Sequence, residues 1–170
     1  MRGQVIVLIL ISATRLLCQD VEIIASKDSL TIKSPNIATH LSFDFGKSPL
    51  NHLMKLNPKI SIQTIENYHV ENKVDTIFTL SIGKDKFVIY KVDEEINILL
   101  DAEIITTKFK TKQGIRVGMK KQDVLKFFTS YGVKSIPNFL ILENLEYPEF
   151  VTFQFNKDTL IRIVFDGYID

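Results

Sequence analysis

β-Branched side chains dominate this sequence. Isoleucine occurs 23 times and valine 12 times, whereas alanine, the strongest helix former, occurs only four times. β-Branched side chains pack well on pleated, half-buried surfaces and lose rotamer freedom in helices, so we predict a fold rich in β-structure. With 170 residues, 45% of them hydrophobic, the chain can form one domain with a real core, or one domain built from two similar halves.

The charge balance and the cysteine content argue against several functional classes. The chain has 21 Lys and Arg against 20 Asp and Glu, a net charge of +1, and so lacks the basic footprint of a nucleic-acid partner. Its single cysteine, Cys18, excludes a disulfide framework and a multi-cysteine zinc site.

Residues 1–18 have the order of a secretory signal peptide. Arg2 precedes the unbroken apolar run of residues 5–11, and Ser12 and Ala13 follow. The run is shorter than the roughly 20 residues that a membrane-spanning helix needs. The alternative is a buried first strand. We predict export to the periplasm or cell envelope, with cleavage after Ala13 or after Cys18.

Cys18 also permits a lipid anchor. Leu-Leu-Cys resembles a bacterial lipoprotein box, although such boxes usually carry a small residue where Leu17 stands. Removing residues 1–18 takes away Arg2 and Arg15 and no acidic residue, so residues 19–170 keep 19 basic and 20 acidic residues. We predict that residues 19–170 form one α+β domain, with no transmembrane segment.

Short apolar segments separated by turn signals predict the elements of this domain. Ser48 is a credible N-cap, Pro49 suits the first position of a helix, and Tyr131-Gly132 is a helix end. Two helices are predicted, one from Pro49 to Leu56 and one around residues 124–131. The predicted strands cover residues 21–25, 29–33, 39–45, 60–65, 76–82, 87–92, 101–110, 139–142, 151–155 and 160–165.

The two halves of the domain look alike. Gly118 follows Gly46 by 72 residues, and the turn at Lys157-Asp158 follows the turn at Lys84-Asp85 by 73. A tandem repeat of a helix plus an antiparallel β-meander, with halves 39–110 and 111–170, explains both spacings. The alternative is coincidence, because a helix followed by a hairpin is common.

Two segments resemble a known family. Residues 114–128, GIRVGMKKQDVLKFF, resemble a "G-I-x-x-G-M-[ST]-x-x-[DE]-V" helix entry, and residues 153–163, FQFNKDTLIRI, resemble an "F-x-F-x-[DN]-G-x-L-x-x-I" hairpin. Both are elements of small exported bacterial proteins with the β-lactamase-inhibitor-like fold, a group that includes the small lipoprotein of the barrel-assembly machinery. The resemblance covers about residues 104–165, implies that fold, and carries no catalytic residue. Lys120 departs from the pattern at the capping position, and Lys157-Asp158 departs from it at the turn.

No residue pattern points to catalysis, a metal or a cofactor. His40, His52 and His69 lack the spacing of a helical metal pair, and no G-x-S-x-G nucleophile motif occurs. The acidic cluster at residues 93–95 and the basic stretch at residues 108–121 are interpreted as solvent-facing segments.

We therefore interpret the chain as a non-catalytic exported module that binds another protein or a cell-envelope component through its sheet. The candidate interaction residues are Tyr131, Tyr147 and Phe150, aromatic side chains beside chain breakers. Two alternatives stay open. One is a small envelope hydrolase using unidentified carboxylates. The other is a lipid-anchored envelope assembly factor tethered by Cys18.

Export has a direct test. Protein purified from its native cell is expected to lack residues 1–13 or 1–18, because the order of charge, apolar run and small residues specifies cleavage. Intact-mass measurement identifies the first residue, and an acylated Cys18 adds the mass of its lipid. Soluble cytoplasmic protein that still begins at Met1 would contradict the prediction.

Overall fold

One mixed β-sheet of nine strands organises the computed structural model, which describes residues 21–46, 48–67, 70–92 and 96–167. Its strands are β1 Glu22–Ala25, β2 Ser29–Ser34, β3 Lys59–Glu66, β4 Val74–Ile82, β5 Asp85–Lys91, β6 Asn97–Ile104, β7 Phe139–Asn144, β8 Phe150–Asn156 and β9 Thr159–Asp166. The predicted signal peptide, residues 1–18, and Cys18 lie outside the described residues.

The strand order across the sheet is β1-β2-β7-β8-β9-β6-β5-β4-β3. Every neighbouring pair is antiparallel except β2 and β7, which run parallel with Leu30 opposite Leu140. Strands β3 to β6 form one antiparallel meander, and β7 to β9 form another. The β6–β9 pair joins the two meanders into one sheet.

Helices are short wherever the chain is described. They are α1 Ile37–Leu41, α2 Pro49–Met54 and α3 Lys121–Leu125, which continues into a 3₁₀ helix, Lys126–Tyr131. The predicted start of α2 is confirmed, because the Ser48 hydroxyl accepts the Asn51 amide and Pro49 is the first helical residue. The predicted end at Gly132 is also confirmed, since this glycine adopts the left-handed conformation that ends helices (φ 79°). None of these helices has the length and apolar character needed to cross a membrane.

The core lies between the helices and one face of the sheet, which we call the inner face. Burial alternates along the strands, as expected for a sheet with one covered side. Buried inner-face residues are Leu30, Ile32, Leu80, Ile82, Phe87, Ile89, Ala102, Ile104, Leu140, Leu142, Val151, Phe153, Phe155, Leu160, Ile163 and Phe165. The helices add side chains to the same core, among them Ile37, Leu53, Val124 and Phe128.

The predicted tandem repeat of helix plus meander is wrong, and so is the α+β, β-lactamase-inhibitor-like fold class. The structure is one mixed sheet with only short helices, and halves 39–110 and 111–170 differ in connectivity. The first half has a four-stranded meander, whereas the second has three strands and its β7 pairs with β2, which precedes both halves. Matching glycines and turns are local signals and do not specify which strands pair.

The strand predicted at residues 39–45 is also wrong. Residues 37–41 form α1, and Phe43 makes only an isolated bridge to Thr111. The Asn144 side-chain oxygen accepts the Ala38 amide at 2.8 Å and so caps α1 from a strand more than 100 residues away. The extended stretch predicted at residues 101–110 ends at Ile104, because the buried Asp85 carboxylate accepts the next two amides.

Two adjacent phenylalanines test how the 3₁₀ helix packs. Phe128 is fully buried, with its ring centroid 6.2 Å from that of Phe153, whereas Phe127 is 39% exposed. We expect Phe128→Ala to lower the free energy of unfolding by about 3–5 kcal/mol and Phe127→Ala by less than about 1 kcal/mol. Urea denaturation measures both losses. Equal losses would show that the helix presents another face to the core.

Candidate functional site

The sheet face opposite the helices, which we call the outer face, is the candidate site. In the described part of the chain the helices contribute their buried side chains to the inner-face core. Outer-face residues such as Thr31, Ile141, Thr152 and Val164 are half-buried, because they touch neighbours within the sheet. A broad sheet surface therefore faces solvent.

Strand register arranges the outer-face side chains in two rows that run across the strands. The first row crosses β2, β7, β8, β9, β6 and β5 at Thr31, Ile141, Thr152, Val164, Glu103 and Lys86. The second row crosses the same strands at Lys33, Glu143, Phe150, Asp166, Asp101 and Val88. Directly opposed residues on one face are close enough to interact, so each row is a continuous strip of contacts.

Two ion pairs flank the centre of these rows. Lys33 Nζ lies 2.8 Å from Glu143 Oε1 on the β2–β7 side, and Arg162 Nε lies 2.8 Å from Glu103 Oε1 on the β9–β6 side. All four side chains keep partial contact with solvent, so each pair contributes little to stability. Each ion pair holds its charged groups in a fixed orientation. The centre between the two pairs carries the aliphatic side chains of Ile141 and Val164 and the hydroxyl of Thr152.

Two carboxylates meet at the junction of the meanders. Asp101 on β6 is directly opposite Asp166 on β9, so the two side chains face each other on the outer face. Burial, followed by the negative charge of Asp166, raises the pKa of Asp101, while Lys86 acts in the opposite direction. The pair lines a shallow depression of about 220 Å³, together with Lys86, Val88, Ala102, Glu103, Arg162, Val164 and Phe165.

The hydrolase alternative stays a prediction. Asp101 and Asp166 oppose each other on an open sheet surface beside a shallow depression, whereas small-molecule sites are concave and enclosed.

The three predicted interaction residues lie in different surroundings. Phe150 lies half-buried on the outer face, between Glu143 and Asp166 in the second row. Tyr131 ends the 3₁₀ helix and packs on Phe128, with ring centroids 6.5 Å apart. Of the three, only Phe150 therefore belongs to the candidate site.

Tyr147 takes part in a polar network that ties the β7–β8 connection to α1. Its hydroxyl donates to Asn36 Oδ1 at 2.6 Å. Beside it, the Glu149 carboxylate accepts the Thr39 hydroxyl and the Asn144 amide, the latter at 2.6 Å. The Tyr147 hydroxyl thus has a partner inside the protein, and a role of this residue in recognition stays a prediction.

The two described histidines lie in separate helices, His40 in α1 and His52 in α2. The His52 ring is 5.3 Å from the Phe45 ring, whereas His69 and residues 93–95 lie outside the described residues. Across the described ranges, no three His, Cys, Asp or Glu side chains come close enough together to hold a metal ion.

The basic stretch at residues 108–121 contacts the protein itself at three points. Lys112 Nζ donates to the Thr39 carbonyl at 2.9 Å, Lys108 lies over the Phe109 ring, and Lys121 lies over the Phe155 ring. These lysines are therefore spread along the chain's own surface instead of converging on one patch.

The acidic pair was missed by sequence reasoning. Neither Asp101 nor Asp166 was singled out from the sequence. The two residues are 65 positions apart, and they meet only because β6 pairs with β9. Strand alternation could have placed each on an outer face, but nothing in the sequence indicated that these two strands are neighbours.

Comparison of the chain with protein-family models, with curated proteins and with solved structures finds no match. The motif resemblance over residues 104–165 therefore stays a prediction about relatives, separate from the fold class that the structure corrects.

Because Asp101 and Asp166 are directly opposite each other, we predict that the free energy of unfolding depends on pH. Because the folded pKa of Asp101 is raised, stability falls as pH rises from the ordinary aspartate value of 3.8 through the raised one. Asp101→Asn is expected to raise the free energy of unfolding by roughly 0.2–1 kcal/mol at neutral pH, a small gain because the side chain is only partly buried and water screens the repulsion. The gain should disappear below about pH 3.8.

Thermal unfolding at several pH values measures this difference. Asp166→Asn should give a smaller gain, because it removes the repulsion but leaves the desolvation of Asp101, and the double variant should be little more stable than Asp101→Asn. A loss of stability at neutral pH in both single variants would contradict the prediction.

Proposed function

We propose that this chain is a non-catalytic, exported, envelope-associated module that binds another protein or envelope component through its outer face. The observation that carries the proposal is the open outer face, with its two rows of half-buried side chains and no helix over them in the described residues. The order of residues 1–18 supports the exported location.

The composition of the outer face suits a protein interface. Phe139, 36% exposed, and Phe150 supply aromatic surface, and Ile141 and Val164 supply aliphatic surface between the two ion pairs. Interfaces combine an apolar, aromatic centre with a polar rim, whereas small-molecule sites are concave and enclosed. The depression beside Asp101 and Asp166 is shallow, which favours a macromolecular partner.

The acidic pair indicates what the partner presents. Asp101 and Asp166 repel each other at neutral pH, and a cation placed over them would relieve that repulsion. A fitting partner therefore sets an arginine or lysine on the two carboxylates and an apolar side chain on Phe150 and Ile141. Such a pairing is specific, since charge complementarity fixes the register of an interface.

Site-specific photo-crosslinking in native cells tests the proposal. A photoreactive phenylalanine analogue at Phe139 or Phe150 should yield an adduct of defined mass with an envelope component. The matched control is Phe127, which is 39% exposed but lies on the helical side of the molecule. The control position should yield no such adduct.

A second variant separates binding from incidental labelling. Thr152→Arg places a bulky cation at the centre of the first row, between Ile141 and Val164, and should abolish the adduct from Phe139 while leaving the thermal unfolding midpoint nearly unchanged. Adducts of equal yield from Phe127, or an outer face that yields none, would count against an outer-face binding module.

A further inference from the structure

Strand β3 forms one edge of the sheet and is the longer of the two edges. It has eight residues, Lys59–Glu66, and seven of them are exposed. The opposite edge, β1, has only four residues. Within the described residues nothing pairs with the free side of β3, so a row of backbone amides and carbonyls is open to another strand.

The usual protections of an edge strand are missing from the middle of β3. Between its terminal charges, Lys59 and Glu66, residues 60–65 carry neither a charge nor a proline. The β3–β4 register runs unbroken over all eight residues, so no bulge twists the edge away. Long, flat, uncharged edges invite pairing with a further strand.

Apolar surface continues from the core to this edge. Ile60 is opposite Leu80 and Ile62 is opposite Phe78, so both isoleucines lie on the inner-face side of the sheet. They are nevertheless 44% and 61% exposed, because they lie beyond the cover of the helices. Covering them would remove apolar area from water.

We propose that the occupant of this edge is a second copy of the chain, paired antiparallel through β3 about a two-fold axis perpendicular to the sheet. This symmetry keeps the inner faces of both subunits on one side, so only residues on the same face can oppose each other. Centred on Ile62, the pairing sets Ile62 against Ile62 of the partner subunit and Ile60 against Thr64 of the partner subunit.

This register opposes no like charges. Lys59 faces Ile65 of the partner subunit, and Ser61 faces Gln63 of the partner subunit. The register centred on Gln63 instead sets Ile60 against Glu66 of the partner subunit, which places a carboxylate against apolar surface. The net charge is +1 for the whole chain and −1 for residues 19–170, so charge adds little repulsion between two copies in either form.

Self-pairing fits the observations better than pairing with β1 of another copy. β1 can match at most half of β3, and a β3-to-β1 contact is heterologous and would extend into an open chain of molecules. Pairing of β3 with itself closes after two copies. One strand pair is small beside the roughly 1,200–2,000 Å² that stable interfaces bury, so we expect a reversible dimer.

Charge reversal at the two-fold axis tests the register directly. Ile62→Lys and Ile62→Glu each place two like charges opposite one another. Ile62 is 61% exposed, so neither substitution removes a buried side chain from the core. Sedimentation velocity over a wide concentration range should show dimers of the unaltered chain and monomers of each variant. An equimolar mixture of the two variants should dimerise again, because Lys then faces Glu.

The matched control is Ile161→Lys, which makes the same charge change at an exposed isoleucine on β9, inside the sheet. This variant should dimerise like the unaltered chain. Three outcomes would overturn the proposal. The unaltered chain is monomeric at every concentration, or the Ile62→Lys variant dimerises in the absence of the Ile62→Glu variant. The third is that the unaltered chain forms a series of species larger than the dimer.

Discussion

The antiparallel pair of β6 and β9 is the contact on which the rest of the structure depends. It has only four register pairs, yet it turns two meanders into one nine-stranded sheet. On the inner face, Ala102 and Ile104 are buried beside Phe165 and Ile163, so the core is continuous across the junction. Just beyond, the Gly167 amide donates to the Leu100 carbonyl at 2.6 Å, where any Cβ would lie only 2.8 Å from that oxygen.

The same junction creates the electrostatic feature of the outer face. Once Ala102 is opposite Phe165, the alternation of side chains sets Asp101 opposite Asp166. Two facing carboxylates destabilise the sheet slightly, and a hydrophobic or hydroxyl-bearing residue at either position would avoid that cost. The acidic pair therefore lowers stability, whereas binding a cationic group of a partner would account for its presence. For this reason the acidic pair is central to the proposed interface.

Local elements could be predicted from the sequence, and their arrangement could not. The Ser48-Pro49 start, the Gly132 end and most strands follow from capping and alternation, which are properties of adjacent residues. The α1 helix was missed because its cap, Asn144, comes from a distant strand. The predicted tandem repeat is wrong, and the acidic pair was not predicted, for the same reason. The order of strands in a sheet depends on long-range packing, and similar spacings in the two halves of the chain do not encode that order.

The two proposed surfaces are compatible with each other. Pairing at β3 about an axis perpendicular to the sheet points both outer faces in the same direction, because the rotation does not invert the sheet. Phe150 lies on β8, five strands away from β3 along the sheet order, so dimerisation leaves it uncovered. Neighbouring strands are about 4.8 Å apart, and eleven such spacings place the two Phe150 side chains roughly 50 Å apart across the dimer. A partner with repeated epitopes at such a spacing, as on an envelope surface, would bind both subunits at once, and the effective concentration of the second site would then raise a weak single-site affinity.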